Sequence, residues 1–287
     1  FCIALAFTEP SQWPALAREA ETAGFDSLIL SDHLFYPLEL QTPYPYTRSG
    51  KPRWQPSTPW PDPLIAAAAL GAVTQRLRFI TSIYILPLRH PLVAAKQIAT
   101  AALFSGGRLT LGIGAGWMRE EFDLVGQPFE ARGRRMLESL EVMQKLWAGG
   151  MVEHHGEFYD FAPLEQSPLP PGPIPIKGGK TSDLALRRAA THFDGWVAEM
   201  QVCAEIEGFA RKLSGYRADS PRARQPLQMC AAVIDAVTLD DFRLLEEQGL
   251  THLITVPWLR YGVTGDDLAS RCDGIRRFGD DVIAALR

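Results

Sequence analysis

The chain has 287 residues, 46% of them hydrophobic and 22% charged, an ordinary balance for a soluble globular protein that buries a sizeable core. Its formal net charge of −4 argues against a nucleic-acid partner, and no apolar run is long enough to cross a bilayer. The four cysteines (Cys2, Cys203, Cys230 and Cys272) form no CxxC pair. They are expected to be isolated reduced thiols of a cytoplasmic protein, neither a disulfide framework nor a zinc site.

The chain opens on an apolar run, Cys2–Phe7, too short and lacking the basic start of a signal peptide, so it reads as a first strand. Helical spacing follows over Ser11–Ala23 and stops before Gly24. Asp26–Ser31 is the second strand, Pro63–Thr74 its helix, and Leu34–Pro61 a long loop between them. Leu77–Leu86 is the third strand, with a helix over Pro91–Phe104 that begins on proline and ends at Ser105-Gly106-Gly107. Leu109–Ile113 and Ala131–Trp147 form the fourth strand–helix unit, and His154–Phe161 reads as a small hairpin arm. The remaining units pair Ile174–Lys177 with Ser182–Thr191, Gly195–Ala198 with Ala204–Tyr216, Leu227–Ile234 with Leu239–Gln248, and Thr251–Val256 with Asp266–Leu286.

Eight strand–helix units with no composition break predict one (β/α)8 barrel domain over 1–287; a doubly wound open sheet seldom needs eight consecutive repeats. The active site of such a barrel lies where strands run into their helices, so those loops carry the functional reading. The loop after the second strand starts Ser31-Asp32-His33 and continues for nearly thirty residues, with Phe35, Tyr36, Tyr44, Tyr46, Trp54 and Trp60 among its prolines. That composition suits a lid over an apolar ligand better than a linker. His33 is placed to act as a general base or acid; the plainer reading is a histidine that bonds a loop backbone.

The third strand runs through Ser82-Ile83, and the fourth into Gly112-Ile113-Gly114-Ala115-Gly116-Trp117, where alternating glycines let a backbone approach a planar or phosphorylated ligand. The fifth ends in Gly178-Gly179-Lys180-Thr181-Ser182, which reads equally as a phosphate cradle at a helix start or as an ordinary N-cap. The basic cluster Arg132-Gly133-Arg134-Arg135 is either a solvated helix start or a contact for an anionic cofactor tail. No histidine has metal-ligand spacing, so no metal site is expected.

Taken together, Gly24–Leu34, Leu86–Thr100, Ser105–Phe122, Phe129–Trp147 and Ala185–Trp196 resemble the bacterial luciferase-like superfamily of flavin- and deazaflavin-dependent oxidoreductases. Within it the chain looks closest to members that use the 5-deazaflavin coenzyme F420. The resemblance implies that His33 lies by the reacting carbon with Asp32 beside it, and that Ser82-Ile83 is a non-proline cis peptide behind the central ring. It further implies that Gly114, Ala115, Gly116 and Trp117 flank the cofactor and that Gly178, Gly179, Lys180 and Thr181 take its phosphate. Phe35, Tyr36, Trp60 and Trp117 are then expected to wall the substrate.

Two departures stand out: Trp117 replaces a glutamate of the F420-dependent sugar-phosphate dehydrogenases, and their tryptophan is missing near Pro37, so their substrate is not carried over. The implied activity is hydride transfer between the deazaflavin and a small organic molecule. An FMN-dependent monooxygenase is the alternative, and a non-catalytic cofactor-binding protein a lesser one. The superfamily's habit also implies a homodimer.

Overall fold

The computed structural model describes residues 1–287. Eight parallel strands close into a barrel: β1 (Cys2–Ala4), β2 (Ser27–Leu30), β3 (Arg78–Thr81), β5 (Leu109–Gly114), β8 (Ile176–Gly179), β9 (Gly195–Gln201), β10 (Gln228–Val233) and β11 (His252–Thr255). Closure is made where β3 meets β5, with Phe79 opposite Leu109 and Ile80 opposite Thr110. A two-residue strand, β4 (Tyr84–Ile85), also lies on β5. The outer ring comprises α1 (Trp13–Thr22), α2 (Pro63–Gly71), α3 (Pro91–Phe104), α5 (Arg132–Ala148), α6 (Asp183–His192), α7 (Cys203–Ala218), α8 (Leu239–Glu247) and α9 (Leu268–Phe278). The hairpin arm is β6 (Val152–His155) with β7 (Asp160–Leu164). No helix is long and apolar enough to cross a membrane.

The core has two parts. The larger, 52 buried residues, fills the layer between strands and helices, where each helix lays its apolar stripe on the sheet. Inside the barrel a smaller plug takes Cys2, Ile29, Ile80, Val197, Cys230 and Ile254 from six different strands. The barrel is therefore packed shut below, and open space is left only where the strands end.

The expected third strand, Leu77–Leu86, is interrupted. Ser82–Ile83 is a cis peptide, and the chain steps aside there before resuming as β4. The first strand stops at Ala4 because Leu5 O accepts both the amide (3.2 Å) and the hydroxyl (2.5 Å) of Thr8, closing a turn. The sixth barrel strand, β9, runs three residues past the expected Ala198, carrying Glu199 into the strand. A short helix absent from the sequence reading, α4 (Arg119–Leu124), follows β5. The last helix ends at Phe278 rather than Leu286, and a π-turn over Gly279–Ile283 finishes the chain's packing.

Candidate active site

At the strand ends lies a cavity of about 380 Å³, the size range of small-molecule and cofactor sites. It is lined by Asp32 and His33 after β2, Ser82 and Ile83 between β3 and β4, Gly114–Trp117 after β5, and Gly178–Ser182 after β8. The loops singled out in the sequence thus converge on one space. Its rim is conformationally costly. Of the three non-glycine residues with positive φ, Phe7 (65°) and Lys180 (88°) line this cavity, and Met200 (61°) lies between its lining residues Glu199 and Gln201. Such backbone persists where surrounding structure enforces it, most often at functional sites.

His33 stands inside an aromatic box. Its ring centroid lies 4.8 Å from Trp54, 5.3 Å from Trp60 and 6.1 Å from Trp117. Tyr44 packs edge-on against Trp54 and Trp117, and Tyr46 against Tyr44. Phe35 and Tyr36 do not reach the cavity. The cavity's aromatic lining comes instead from Tyr44, Tyr46 and Trp54 together with Trp60 and Trp117. Two glutamates of α4 pin that fold. Glu120 accepts the amides of Gln41 (2.7 Å) and Thr42 (2.9 Å), and Glu121 accepts that of Leu34 (2.8 Å).

Glu121 also fixes His33. Its carboxylate is fully buried, and Oε1 lies 3.3 Å from His33 Nδ1. Beside an ionised Glu121, which only accepts, Nδ1 carries the proton and the neutral imidazole keeps Nε2 as its acceptor. His33 is therefore bonded to a carboxylate, not merely to a loop backbone. Neither Glu120 nor Glu121 was singled out in the sequence. The signal available was a pair of acids opening a helical turn, which is common on solvated faces.

Asp32 lies at the cavity wall, but its oxygens are taken. Arg89 grips it through two bonds of 2.5 and 2.8 Å, and Ile85 N–H donates to Oδ2 at 2.8 Å. Asp32 thus ties β4 to the end of β2 and holds the cis bulge in place. These bonds give Asp32 a part in positioning the site through Arg89 and the bulge.

The alternating glycines have the same purpose. A Cβ on Gly112 would lie 2.0 Å from Thr81 O, on Gly114 1.9 Å from Ile83 Cδ1, and on Gly179 2.6 Å from Ile83 Cγ2. These glycines make room for the bulge: the close approach they permit is to the Thr81 carbonyl and to the Ile83 side chain. Gly116 (φ +80°) turns the chain away from β5.

The other part of the cavity is cationic. Arg132, Lys180 and Arg188 all line it, and none is paired with a carboxylate. Arg132 donates instead to the carbonyls of Gly116 (3.2 Å) and Phe129 (2.9 Å) and lies 3.7 Å over the Phe129 ring. Burial pushes the Lys180 ammonium below its ordinary pKa, and Arg132 adds to this; burial also lowers Arg188. Ser182, at the N-cap of α6, makes no capping bond with its hydroxyl, so that helix start presents free donors with Thr181 beside it.

Three cations without carboxylate partners beside a helix start make a donor set whose chemistry fits a phosphate. Of the sequence's basic cluster, Arg132 alone reaches it. Arg134 pairs with Glu157 outside, and Arg135 is buried against Pro87 O at 2.9 Å. Arg188, on a helix remote in sequence, was not foreseen.

Two further acids line the cavity, of which Glu130 is paired with Arg119 at 2.6 Å. Glu199, on β9, lies 3.5 Å from Ser82 Oγ, and burial pushes its carboxyl above the ordinary glutamate range despite Arg53.

The model of the family described as luciferase-like monooxygenase matches residues 7–266. An uncharacterised protein of Mycobacterium tuberculosis is 35% identical over 100% of this chain and 99% of its own length. An F420-dependent glucose-6-phosphate dehydrogenase of Nakamurella multipartita is 33% identical over 66% of this chain and 52% of its own length. Among solved structures, the monooxygenase RslO1 of Streptomyces bottropensis superposes with a TM-score of 0.76 at 17% identity, over 100% of this chain and 99% of that one. That likeness is one of fold.

Proposed function

This chain belongs to the luciferase-like monooxygenase family, and we propose that it acts there as a coenzyme F420-dependent oxidoreductase on a small organic substrate, an alcohol, a carbonyl or an unsaturated compound. The observation that carries the reading is His33, held by the buried Glu121 with Nε2 free inside a box of aromatic rings. Hydride transfer to or from an oxygen-bearing carbon needs one proton handled at that oxygen, and a dry, apolar enclosure keeps competing water away.

The cofactor's binding residues are proposed on the cavity's own features. Ile83 in the bulge and Gly114–Trp117 would flank a ring system, while Arg132, Lys180, Arg188 and the start of α6 would hold a phosphate. When bound, the deazaflavin supplies the hydride acceptor or donor. His33 Nε2 accepts the hydroxyl proton as an alcohol is oxidised, and the imidazolium so formed is stabilised by Glu121. In the reducing direction His33 returns that proton. The similarity to F420-dependent glucose-6-phosphate dehydrogenases supports the choice of cofactor.

The second reading is an FMN-dependent monooxygenase, which the same phosphate site would serve. Fluorescence titration of the purified protein with F420 and with FMN separates the two. The proposal expects saturable binding of F420 and weaker binding of FMN; tight FMN binding with none of the deazaflavin would reverse it.

A further inference from the structure

We infer that the substrate of this cavity is an organic cation, whose ammonium group sits among the aromatic rings of the lid with the Glu199 carboxylate as its counter-ion. The inference rests on the hydride-transfer reading above and narrows its substrate to an alcohol or carbonyl compound that carries a positive charge.

Glu199 sits near the end of β9 and lines the same cavity as His33. It is partly exposed, and the Ser82 hydroxyl donates to Oε1 at 3.5 Å, which leaves Oε2 free to accept. The cation facing it is Arg53, on the exposed side of the lid, and the two are not within ion-pair distance. Partial exposure, the Ser82 donor and Arg53 all favour the carboxylate over the acid, against the upward push of burial. In the reading above, the cofactor's phosphate compensates Arg132, Lys180 and Arg188, and Glu130 is paired with Arg119. Glu199 is then the carboxylate of this cavity that lacks a counter-ion at contact distance. Arg53 stands at the rim, where water screens its charge.

The rings supply the rest of a cation site. Phe7, Tyr44, Tyr46, Trp54, Trp60 and Trp117 all line the cavity. The plane of Trp54 stands at 90°, 77° and 78° to those of Tyr44, Trp60 and Trp117. Parallel rings would make a slot for a flat molecule; rings set near right angles enclose a compact, rounded group. The face of an indole attracts a cation through its quadrupole, most strongly where water is excluded. A neutral group of the same shape gains the burial but neither this attraction nor that of Glu199. The rim shows the same preference in a residue of the chain itself. The Arg53 guanidinium, without a carboxylate partner, lies 5.9 Å from the Phe7 ring centroid and 3.1 Å from Met200 Sδ. Two carboxylates thus serve two positive charges: Glu121 the imidazolium formed when His33 takes the hydroxyl proton, and Glu199 the ammonium, which the reaction leaves unchanged.

The test uses probes of one shape and different charge: choline, its uncharged isostere 3,3-dimethylbutan-1-ol, and the anion 3,3-dimethylbutanoate. Each is titrated into the full chain at neutral pH, with and without F420, by calorimetry and by proton NMR of the probe's methyl groups. Choline should bind at least about 10-fold more tightly than the uncharged alcohol, and the butanoate more weakly than either. The methyl resonance of bound choline should move upfield, as protons over ring faces do. Glu199→Gln should weaken choline by about 10-fold and the uncharged alcohol far less. Equal binding of choline and the alcohol, no binding of choline, or an unshifted methyl resonance would each overturn the inference. So would tighter binding of the butanoate, which would make Arg53 the recognising group, or a folded Glu199→Gln that holds choline as the wild type does. The isostere comparison is made on the wild type and needs no variant to fold. Failure of F420 to bind while choline keeps its preference would sink the cofactor reading and leave the charge preference standing.

Discussion

Glu121 Oε1 lies 3.3 Å from His33 Nδ1, although 88 residues separate the two along the chain. The bond decides which nitrogen of the imidazole faces the cavity, and Glu121 itself has no solvent exposure to soften the preference. Glu121→Gln is therefore expected to cost far more than its size suggests. An amide can donate to Nδ1 and so favour the tautomer with its proton on Nε2, which can no longer accept one. By analogy with other carboxylate–histidine pairs, kcat should fall by about 100-fold or more, with cofactor affinity unchanged. Nitrogen NMR of the imidazole would show the tautomer change directly.

His33→Ala removes the proton-handling group itself. Turnover should fall by roughly 100-fold or more while F420 titrates as in the wild type. Near-normal turnover in steady-state assays would end the role assigned to His33.

Asp32→Asn should act through stability. Asp32 and Arg89 are both largely buried, with side-chain exposures of 2% and 13%. Removing one charge leaves the Arg89 guanidinium only the more distant carboxylate of Asp62, at 3.9 Å, at a cost of about 1–3 kcal/mol. Urea unfolding should show a lowered midpoint with an unchanged slope. Retention of full stability would mean that Asp32 is held for another purpose.

Gly112→Ala tests the room left for the bulge. Its Cβ would meet a backbone carbonyl, Thr81 O, at 2.0 Å, and that contact cannot be relieved by a side-chain rotation. We expect a loss of about 1–3 kcal/mol. Gly172→Ala, with open space around its Cβ and no positive φ, should be within about 0.5 kcal/mol of wild type.

Arg188→Ala should weaken F420 and FMN alike, by about 10- to 100-fold, since a hydrogen bond to a charged group is worth about 1.5–3 kcal/mol. The pH dependence follows from Lys180. Its pKa is lowered in the free protein, and a bound anion would raise it again. Affinity is then full below the free-protein pKa and is lost as pH rises from there through the pKa of the complex. The fall should begin at lower pH than for an ordinary lysine and disappear in Lys180→Met; isothermal titration across the alkaline range reads it.

The sequence by itself determined the barrel. Strand-length apolar runs alternating with helical spacing, each cut by glycine or proline, leave few other ways to bury both sets of faces, and the eight units were all found. It also placed the site loops, because in this architecture the strand ends are the site. That Asp32, Gly112 and Gly114 also support the bulge was not legible, since a glycine or an acid in a loop looks the same whether it serves a ligand or a neighbouring bulge. Tertiary structure alone decided the rest. Glu121 and His33, Glu199 and Ser82, and Arg188 with Arg132 and Lys180 come from elements distant in the chain. The lid has no period from which to tell that Tyr44, Tyr46 and Trp54 face inward while Phe35 and Tyr36 do not. Local pattern fixes which face of a strand or helix is buried; which side chains meet across a cavity depends on closure of the whole barrel and on where α4 pins the lid.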